Sequence, residues 1–499
     1  MIESDAPVAS TRSGRVRGFW QNGVQAFRGI PYGAPPVGHL RFMPPVPAGP
    51  WDGVRDASAF GPKAPAFGGE MWDDPVLGPY FTGGRGAELI AADVDRAEDC
   101  LVLNVLTPQA DPADRRPVMV YLHGGGYKNM NGMVGALADR FVRERNIVLV
   151  TLNHRVNVFG FLYLGGIFDR YRAGNVGLLD LVLALRWVQD NINAFGGDPD
   201  CVTIFGESGG GWKTLDLLGM PAAKGLFHRA IAESAPGPEP VTREAGTARA
   251  DKFLGQLGIG HDLDRLENLS MQAIVDAMEA GGPYRFRAVL DGETLSSGRH
   301  WVNGAPESAR NIPLIVGNCK DEASHWASDP SLFRLDWASV VPRLADQLER
   351  SAEALAPIVD VYRGAAPDDS PTDVFIKIWS DRWFGPSTIA YAEQQSAQAA
   401  TYLYHFTYEP PVDNVNLRAF HTAELPLAMQ LVHFPESEPL SQQLSGAWAS
   451  FARTGDPNHP GLPRWRPYRK EDPATMVFGL ESRLISNFRE AERRAIATL

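Results

Sequence analysis

Residues 201–210 read Cys201-Val-Thr-Ile-Phe-Gly-Glu-Ser-Gly-Gly210, and this stretch decides the fold. Its first half is a short, β-branched apolar run that predicts a buried strand. The G-x-S-x-G pattern that follows is typical of a sharp strand-to-helix turn, which exposes the hydroxyl of Ser208 at a helix N-terminus. The chain holds 50 glycines, so the pattern alone also arises by chance. Its position directly after a strand favours a nucleophile.

A second glycine-rich segment follows a predicted strand at Arg116–Leu122. His123-Gly-Gly-Gly-Tyr127 offers an unhindered row of backbone amides, which suits the oxyanion of a tetrahedral acyl intermediate. A phosphate-binding turn is the alternative interpretation. No Lys-Ser/Thr pair follows at the spacing of a phosphate loop, so the amides of these three glycines, Gly125 and Gly126 among them, are candidate oxyanion donors.

The flanking sequence alternates strand and helix signals, which predicts an α/β fold with helices on both faces of a sheet. Residues 178–193 predict a helix, and residues 242–280 and 331–362 predict helical insertions. A Gly-, Pro- and aromatic-rich segment, 67–86, predicts a long loop. Further strands are predicted at 147–152, 314–316 and Thr401–Phe406. Without an internal repeat or a low-complexity linker, we expect one domain, 1–499.

Charge and cysteine content narrow the classes of function. The net charge, 47 − 59 = −12, provides no excess of cations, so neither nucleic acid nor an anionic membrane is expected as a partner. The apolar runs have the length of strands, and no signal peptide is evident at the N-terminus. Three widely spaced cysteines form neither a disulfide framework nor a zinc-type pair, which favours the cytoplasm.

Beyond these two glycine motifs, much of the chain resembles the type-B carboxylesterases, the cholinesterase-like branch of the α/β-hydrolase fold. Segments that carry the resemblance are Gly14-Arg-Val-Arg-Gly18, Phe27-Arg-Gly-Ile-Pro-Tyr-Gly-Ala-Pro-Pro36, Glu98-Asp-Cys-Leu-Val-Leu-Asn-Val105, Phe195-Gly-Gly-Asp-Pro199, Gly225-Leu-Phe-His-Arg-Ala-Ile231 and Phe451-Ala-Arg-Thr-Gly-Asp-Pro-Asn458. The resemblance implies a large, mixed, mostly parallel central sheet flanked by helices. Helical and loop insertions would surround an active-site gorge.

In this fold the chain order of the catalytic residues is Ser, then an acid, then His. Five histidines, His325, His405, His421, His433 and His459, lie far enough downstream of the candidate serine. The segment around His421 resembles the histidine motif of the family. His405, inside a predicted strand, is the alternative. The family places its acid second in an Asp-Glu pair, which selects Glu322. The neighbouring Asp321 is the alternative acid. The resemblance also implies Gly209 as the third oxyanion donor, where the family mostly has alanine.

The substrate pocket is less well defined by the sequence. Trp212 and Lys213 lie where the family prefers small residues and a serine. Either both line the pocket, or Trp212 faces the core and Lys213 extends to solvent. Tyr127, beside the oxyanion glycines, and the pair Trp383 and Phe384 are further candidates for substrate contact.

Together these features predict hydrolysis of carboxylic esters through an acyl-enzyme, with no metal or cofactor. The expected partner is a small-molecule ester, and the expected assembly is a monomer or small homo-oligomer. A carbamate or amide hydrolase with the same triad is the alternative, and a non-catalytic cholinesterase-like binding protein is a remote one.

Overall fold

The structure is a computed structural model that describes residues 6–92, 94–237, 241–281, 286–295, 300–413 and 416–499. The strands in these ranges are β1 (Val8–Ser10), β2 (Arg15–Arg17), β3 (Phe19–Gln21), β4 (Val24–Pro31), β5 (Val54–Asp56), β6 (Val102–Thr107), β7 (Arg116–Leu122), β8 (Val148–Leu152), β9 (Gly197–Glu207), β10 (Arg229–Glu233), β11 (Leu314–Cys319), β12 (Thr401–Phe406), β13 (Ala474–Phe478) and β14 (Arg483–Ser486).

The α-helices in the same ranges are α1 (Gly78–Thr82), α2 (Gly86–Ala92), α3 (Asp139–Arg145), α4 (Asn157–Phe161), α5 (Val176–Asn191), α6 (Gly209–Leu218), α7 (Arg243–Gln256), α8 (Leu263–Asn268), α9 (Met271–Ala280), α10 (Trp337–Leu348), α11 (Ala352–Ala365), α12 (Pro371–Ser396), α13 (Leu425–Ala428), α14 (Glu438–Thr454) and α15 (Glu490–Ile496). None of them has both the length and the apolar composition of a membrane span.

One large sheet organises the described residues, with the strand order β14-β13-β12-β11-β10-β9-β7-β8-β6-β4-β3. Neighbouring strands from β13 to β8 are parallel, and the strands at both ends pair antiparallel. This is the mixed, mostly parallel sheet that the family resemblance implies. A separate small sheet has the order β1-β2-β5.

The register of the parallel strands aligns their carboxyl ends along one edge. Leu122 on β7 pairs with Gly206 on β9, Glu207 pairs with Glu233 on β10, and Glu233 pairs with Gly317 on β11. Ligand sites of open α/β sheets lie beyond this edge. The loops that leave β7, β9 and β11 carry the predicted site residues, so the fold brings those loops together.

Alternate residues of the central strands face two hydrophobic cores, one on each side of the sheet. On β7, Val118 and Val120 belong to one core, whereas Met119 and Tyr121 belong to the other. This alternation follows from the two-residue period of a strand. Burial on both faces explains why these strands are continuous apolar runs rather than alternating ones.

Most of the predicted elements are present in the structure. The strands at Arg116–Leu122 and Thr401–Phe406 have the predicted bounds, and the helix predicted at 178–193 is α5, Val176–Asn191. The two helical insertions contain α7 to α9 and α10 to α11.

The prediction of a loop at 67–86 is wrong in part, because α1 and a short 3-10 turn at Met71–Asp73 lie within it. Pro79 occupies the first turn of α1, where proline is tolerated. Tyr80 and Phe81 are buried against Phe420, with ring centroids 5.7 and 6.1 Å away. Aromatic packing therefore overrides the local glycine and proline content.

A buried ion pair fixes the chain after β8. The guanidinium of Arg155 and the carboxylate of Asp180 on α5 are both shielded from solvent and form two hydrogen bonds, of 2.9 and 2.6 Å. The backbone amide of Arg155 also donates to Asp180 at 3.0 Å. This pair ties the segment beside the candidate oxyanion loop to the long helix α5.

We expect Asp180→Asn to lower the free energy of unfolding by about 3–5 kcal/mol, since it leaves a buried guanidinium without its counter-charge. The control is Asp190→Asn, which breaks the exposed ion pair with Arg12. It should change the free energy of unfolding by about 1 kcal/mol or less. Urea unfolding of both variants measures the difference. Equal shifts of the unfolding midpoint would contradict the assigned role of the buried pair.

Candidate active site

Ser208 lies between the end of β9 and the start of α6. Its backbone has φ 58° and ψ −119°, a conformation that costs a non-glycine residue about 1–3 kcal/mol. The Ser208 amide donates to the carbonyl of Glu233 on β10 at 2.9 Å, which helps to hold the turn. Ser208 is partly exposed, whereas Glu207 and Gly209 on either side are buried. The turn therefore leaves the serine accessible.

The glycines after Ser208 allow α6 to contact the end of β7. A Cβ atom on Gly210 would lie 2.0 Å from the carbonyl oxygen of Leu122. A Cβ on Gly209 would lie 2.4 Å from the amide nitrogen of Gly126. The absence of a side chain at position 209 therefore lets the glycine loop approach the serine more closely than an alanine would allow.

Three backbone amides gather at this contact. Gly125 and Gly126 have φ values of 81° and 56°, and neither amide donates to a protein group in the described ranges. Gly209 is the first residue of α6, where a helix offers its amides no internal acceptor. Gly209 directly follows Ser208, and the amide of Gly126 lies against Gly209.

His421 and Glu322 are in direct contact on the other side of the site. Nδ1 of His421 forms a short hydrogen bond with Oε2 of Glu322, and both side chains are buried. Oε1 of Glu322 accepts the amide of Cys319 at 2.7 Å, which fixes the carboxylate. Asp321, the alternative acid, instead lies 3.2 Å from the ammonium of Lys320. Of the predicted pair, only Glu322 contacts the histidine.

The other ring nitrogen of His421 reaches the serine turn. Nε2 lies 3.2 Å from Oε1 of Glu207, the residue before Ser208. The hydroxyl of Thr422 donates to the same oxygen at 2.9 Å. Within the described part of the chain, no hydrogen bond joins His421 to Ser208. The loop of His421 thus contacts the turn through Glu207, and Nε2 is not hydrogen-bonded to the serine.

His405 is remote from this arrangement. It is buried on β12 and packs against Phe488, with ring centroids 5.2 Å apart. Burial lowers the pKa of its imidazole well below the usual value.

Burial also shifts the pKa values of His421 and Glu322. It lowers the pKa of His421 below the usual 6.5 and raises the pKa of Glu322, since a charge on either group loses its hydration. Burial, followed by the nearby carboxylates of Glu424 and Glu322, raises the pKa of Glu207. The site therefore favours a neutral imidazole.

Two more buried carboxylates, Glu233 and Glu424, lie near His421 and Glu322. The sequence analysis identifies neither of them. Glu233 accepts Nε1 of Trp448 at 2.7 Å. Glu424 accepts the hydroxyl of Ser234 at 2.9 Å and the thiol of Cys319, also at 2.9 Å. The only sequence signal was their position, at the end of β10 and three residues after His421. Among the described residues, no group of His, Cys, Asp and Glu side chains is arranged to hold a metal ion.

Aromatic rings form one wall of the site. The centroids of Trp326 and Phe384 lie 4.8 and 5.3 Å from that of His421. Trp383 is 40% exposed and packs against Trp326 at 5.4 Å, so it belongs to the outer part of this wall. Trp326 was not among the predicted residues, although it follows Glu322 by only four positions.

Tyr127 and Trp212 stack on each other, with centroids 5.6 Å apart, and border a cavity of about 40 Å³. The Tyr127 hydroxyl forms a short hydrogen bond with Asp216, and the Trp212 indole donates to the carbonyl of Pro236 at 2.8 Å. Trp212 thus lines a small pocket next to the candidate oxyanion loop. The alternative that Lys213 faces solvent is wrong, because its side chain is fully buried.

Comparison with known proteins agrees with this geometry. The sequence profile of the Carboxylesterase family matches residues 5–496. Phenmedipham hydrolase of Pseudarthrobacter oxydans is 34% identical over 498 residues, which cover 95% of each chain. Para-nitrobenzyl esterase of Bacillus subtilis strain 168 is 33% identical over 521 residues, covering 98% of this chain and 97% of that protein.

The fold is also similar to solved carboxylesterases. The structure of carboxylesterase EST55 from Geobacillus stearothermophilus superposes with a TM-score of 0.82 and 35% identity, covering 98% of this chain and 99% of its own. Family profile, relatives and fold extend over almost the whole chain. The protein therefore belongs to the carboxylesterase family and is a serine hydrolase of carboxylic esters with the α/β-hydrolase fold.

Proposed function

We propose that Ser208, His421 and Glu322 are the catalytic triad of this ester hydrolase. The observation that carries the proposal is the contact of Glu322 with Nδ1 of His421, which leaves Nε2 beside the serine turn. A carboxylate on Nδ1 orients the imidazole and stabilises the imidazolium that forms during the reaction. No other described acid contacts this nitrogen.

In the first half of the reaction, Oγ of Ser208 attacks the ester carbonyl carbon while Nε2 of His421 accepts the hydroxyl proton. The carbonyl oxygen becomes an oxyanion, and the amides of Gly125, Gly126 and Gly209 donate to it. His421 then gives the proton to the departing alcohol. Water, activated by the same imidazole, attacks the acyl-enzyme and releases the acid.

This cycle requires Nε2 to exchange its contact with Glu207 for one with Ser208. Both partners belong to consecutive residues of one turn. Catalytic hydrogen bonds are often long in enzymes without substrate and tighten when substrate binds.

The substrate we propose is a small-molecule ester held between the aromatic wall of Trp326, Trp383 and Phe384 and the pocket of Tyr127 and Trp212. A carbamate or amide substrate with the same triad is the second candidate, which the phenmedipham hydrolase relative favours. Assay of p-nitrobenzyl esters and phenmedipham with one preparation distinguishes these substrate classes.

We further propose a cytoplasmic enzyme, active as a monomer or small homo-oligomer, without nucleic-acid or membrane partners and without a metal or cofactor. Cys100, Cys201 and Cys319 all lie outside disulfides, which suits a reducing compartment. The net charge of −12 disfavours polyanionic partners.

We expect Ser208→Ala to lower kcat on a p-nitrophenyl ester by a factor on the order of 10⁶, since the triad acts as a unit. The matched control is Ser10→Ala, at an exposed position on β1, which should keep full turnover. Near-normal turnover by Ser208→Ala would end the assignment of the nucleophile.

A comparison of His421→Ala with His405→Ala identifies the base. His421→Ala should lose turnover to nearly the same extent as Ser208→Ala, because both remove one member of the same proton transfer. His405→Ala removes a buried ring from β12 and should affect stability more than kcat. A larger loss of kcat in His405→Ala would contradict the assignment.

The pH profile tests the state of the imidazole. A histidine acts as a base only when neutral, so activity is lost as the pH falls through its pKa. Burial lowers the pKa of His421, and we therefore expect the acid limb of kcat/KM to have its midpoint below pH 6.5. Enzyme returned to neutral pH after each exposure should recover fully, which separates titration from acid unfolding. A midpoint above 6.5 would contradict the prediction.

A further inference from the structure

Lys213 is a buried cation under the glycine loop. It lies on α6, five residues after Ser208, and its side chain is fully buried. Its Nζ lies 2.7 Å from the carbonyl oxygen of His123, 3.4 Å from that of Gly124 and 3.0 Å from Nε2 of His154. These three acceptors match the three N–H donors of an ammonium group.

No carboxylate lies within ion-pair distance of this ammonium in the described part of the chain. Burial lowers the pKa of Lys213 to about 7, and Asp216 on the same helix offsets only part of that effect. An isolated charge in the interior is costly, and an apolar side chain would avoid the cost. A cation at this position therefore needs a reason beyond packing.

Two stacked histidines complete the surroundings of Lys213. The rings of His123 and His154 are 4.7 Å apart and nearly parallel. Burial and the charge of Lys213 lower the pKa of both imidazoles, which keeps them neutral. Nδ1 of His154 lies 2.7 Å from the carbonyl of Arg155, so it carries the proton and Nε2 accepts from Lys213. Arg155 is in turn fixed by Asp180.

The geometry of a peptide unit connects Lys213 to the amides that face the substrate. The carbonyl oxygen of Gly124 and the N–H of Gly125 belong to one planar trans peptide and point in opposite directions. Lys213 and Nδ1 of His123, at 3.2 Å, both hold this carbonyl from the interior side. The Gly125 N–H is thereby directed away from Lys213 and the interior.

We propose that Lys213 is a positioning residue for the oxyanion site. Its hydrogen bonds fix the peptide planes before Gly125, and its charge behind the carbonyl of Gly124 polarises that peptide. A polarised peptide is a stronger donor, because linked hydrogen bonds reinforce one another at low dielectric. The inference rests on the proposed oxyanion role of Gly125.

Lys213→Met and Lys213→Gln test the proposal. Met removes the charge and the hydrogen bonds, whereas Gln removes the charge and keeps a donor. We expect kcat to fall about 10–100-fold in Lys213→Met and less in Lys213→Gln, since the amides remain but are less well aligned. KM should stay within about twofold, because the lysine contacts no substrate. Lys224→Met, at an exposed position, is the control and should match the wild type.

Affinity for a trifluoromethyl ketone provides the readout that a merely structural role would not move. This inhibitor forms an oxyanion adduct with the serine, so its inhibition constant should rise by the same factor as kcat falls. An unchanged inhibition constant, an unchanged kcat, or a loss confined to KM would each overturn the proposal. Turnover retained in Ser208→Ala would instead refute the proposed function.

The wild-type enzyme allows a test that does not depend on the folding of a variant. Thermodynamic linkage requires that an oxyanion stabilised by Lys213 also stabilises the protonated lysine. In ¹³Cε-lysine spectra, the lysine that titrates near neutral pH should therefore shift to higher pKa when the trifluoromethyl ketone adduct forms. The neighbouring titratable groups are His123, His154, Asp216 and Tyr127, whose ring centroid lies 6.0 Å from Nζ, and burial lowers the pKa of both imidazoles. An unchanged titration would overturn the proposal.

Discussion

The site depends on the close contact between the first turn of α6 and the end of β7. Gly210 touches the last carbonyl of β7 so closely that any side chain would overlap it, and Gly209 touches the amide of Gly126 in the same way. Because of this contact, the serine turn and the glycine loop form one continuous surface of backbone. A serine held in a strained turn and a row of amides in a loop would otherwise be two unrelated features of the sheet edge.

Several ionisable side chains are buried around this backbone surface. Four glutamates, Glu207, Glu233, Glu322 and Glu424, lie within the same interior region and each is almost fully shielded. Burial raises the pKa of all four. Each of the four carboxylates accepts at least one hydrogen bond, which offsets part of the cost of burying it.

Features of the site with a local signature could be predicted from the sequence. The serine turn, the glycine loop and the parallel strands are short patterns whose geometry follows from glycine, β-branched residues and two-residue periodicity. Glu322 and His421 needed the resemblance to the family, because nothing local distinguishes Glu322 from Asp321. The structure separates the two through the turn after β11, which points only Glu322 at the imidazole.

Features set by long-range packing could not be predicted. Trp326 reaches His421 because residues 322–326 form a 3-10 turn instead of extended chain. The direction of Lys213 depends on the rotation of α6, which the contact with β7 fixes. Helix α1 forms in a Gly- and Pro-rich segment because Tyr80 and Phe81 find a buried aromatic partner in Phe420. In each case the deciding contact joins residues far apart in the chain.

The hydrogen bond between Cys319 and Glu424 has a chemical consequence for reagents that modify cysteine. Burial, followed by Glu424 and Glu322, raises the pKa of this thiol, so it stays protonated. Alkylating agents react with thiolates, and the thiol that donates to Glu424 is thus shielded from them while the fold is intact. Cys201, on β9, is only partly buried. Labelling of Cys319 would therefore occur only when the region around the four buried glutamates opens. Its rate would measure local unfolding of that region.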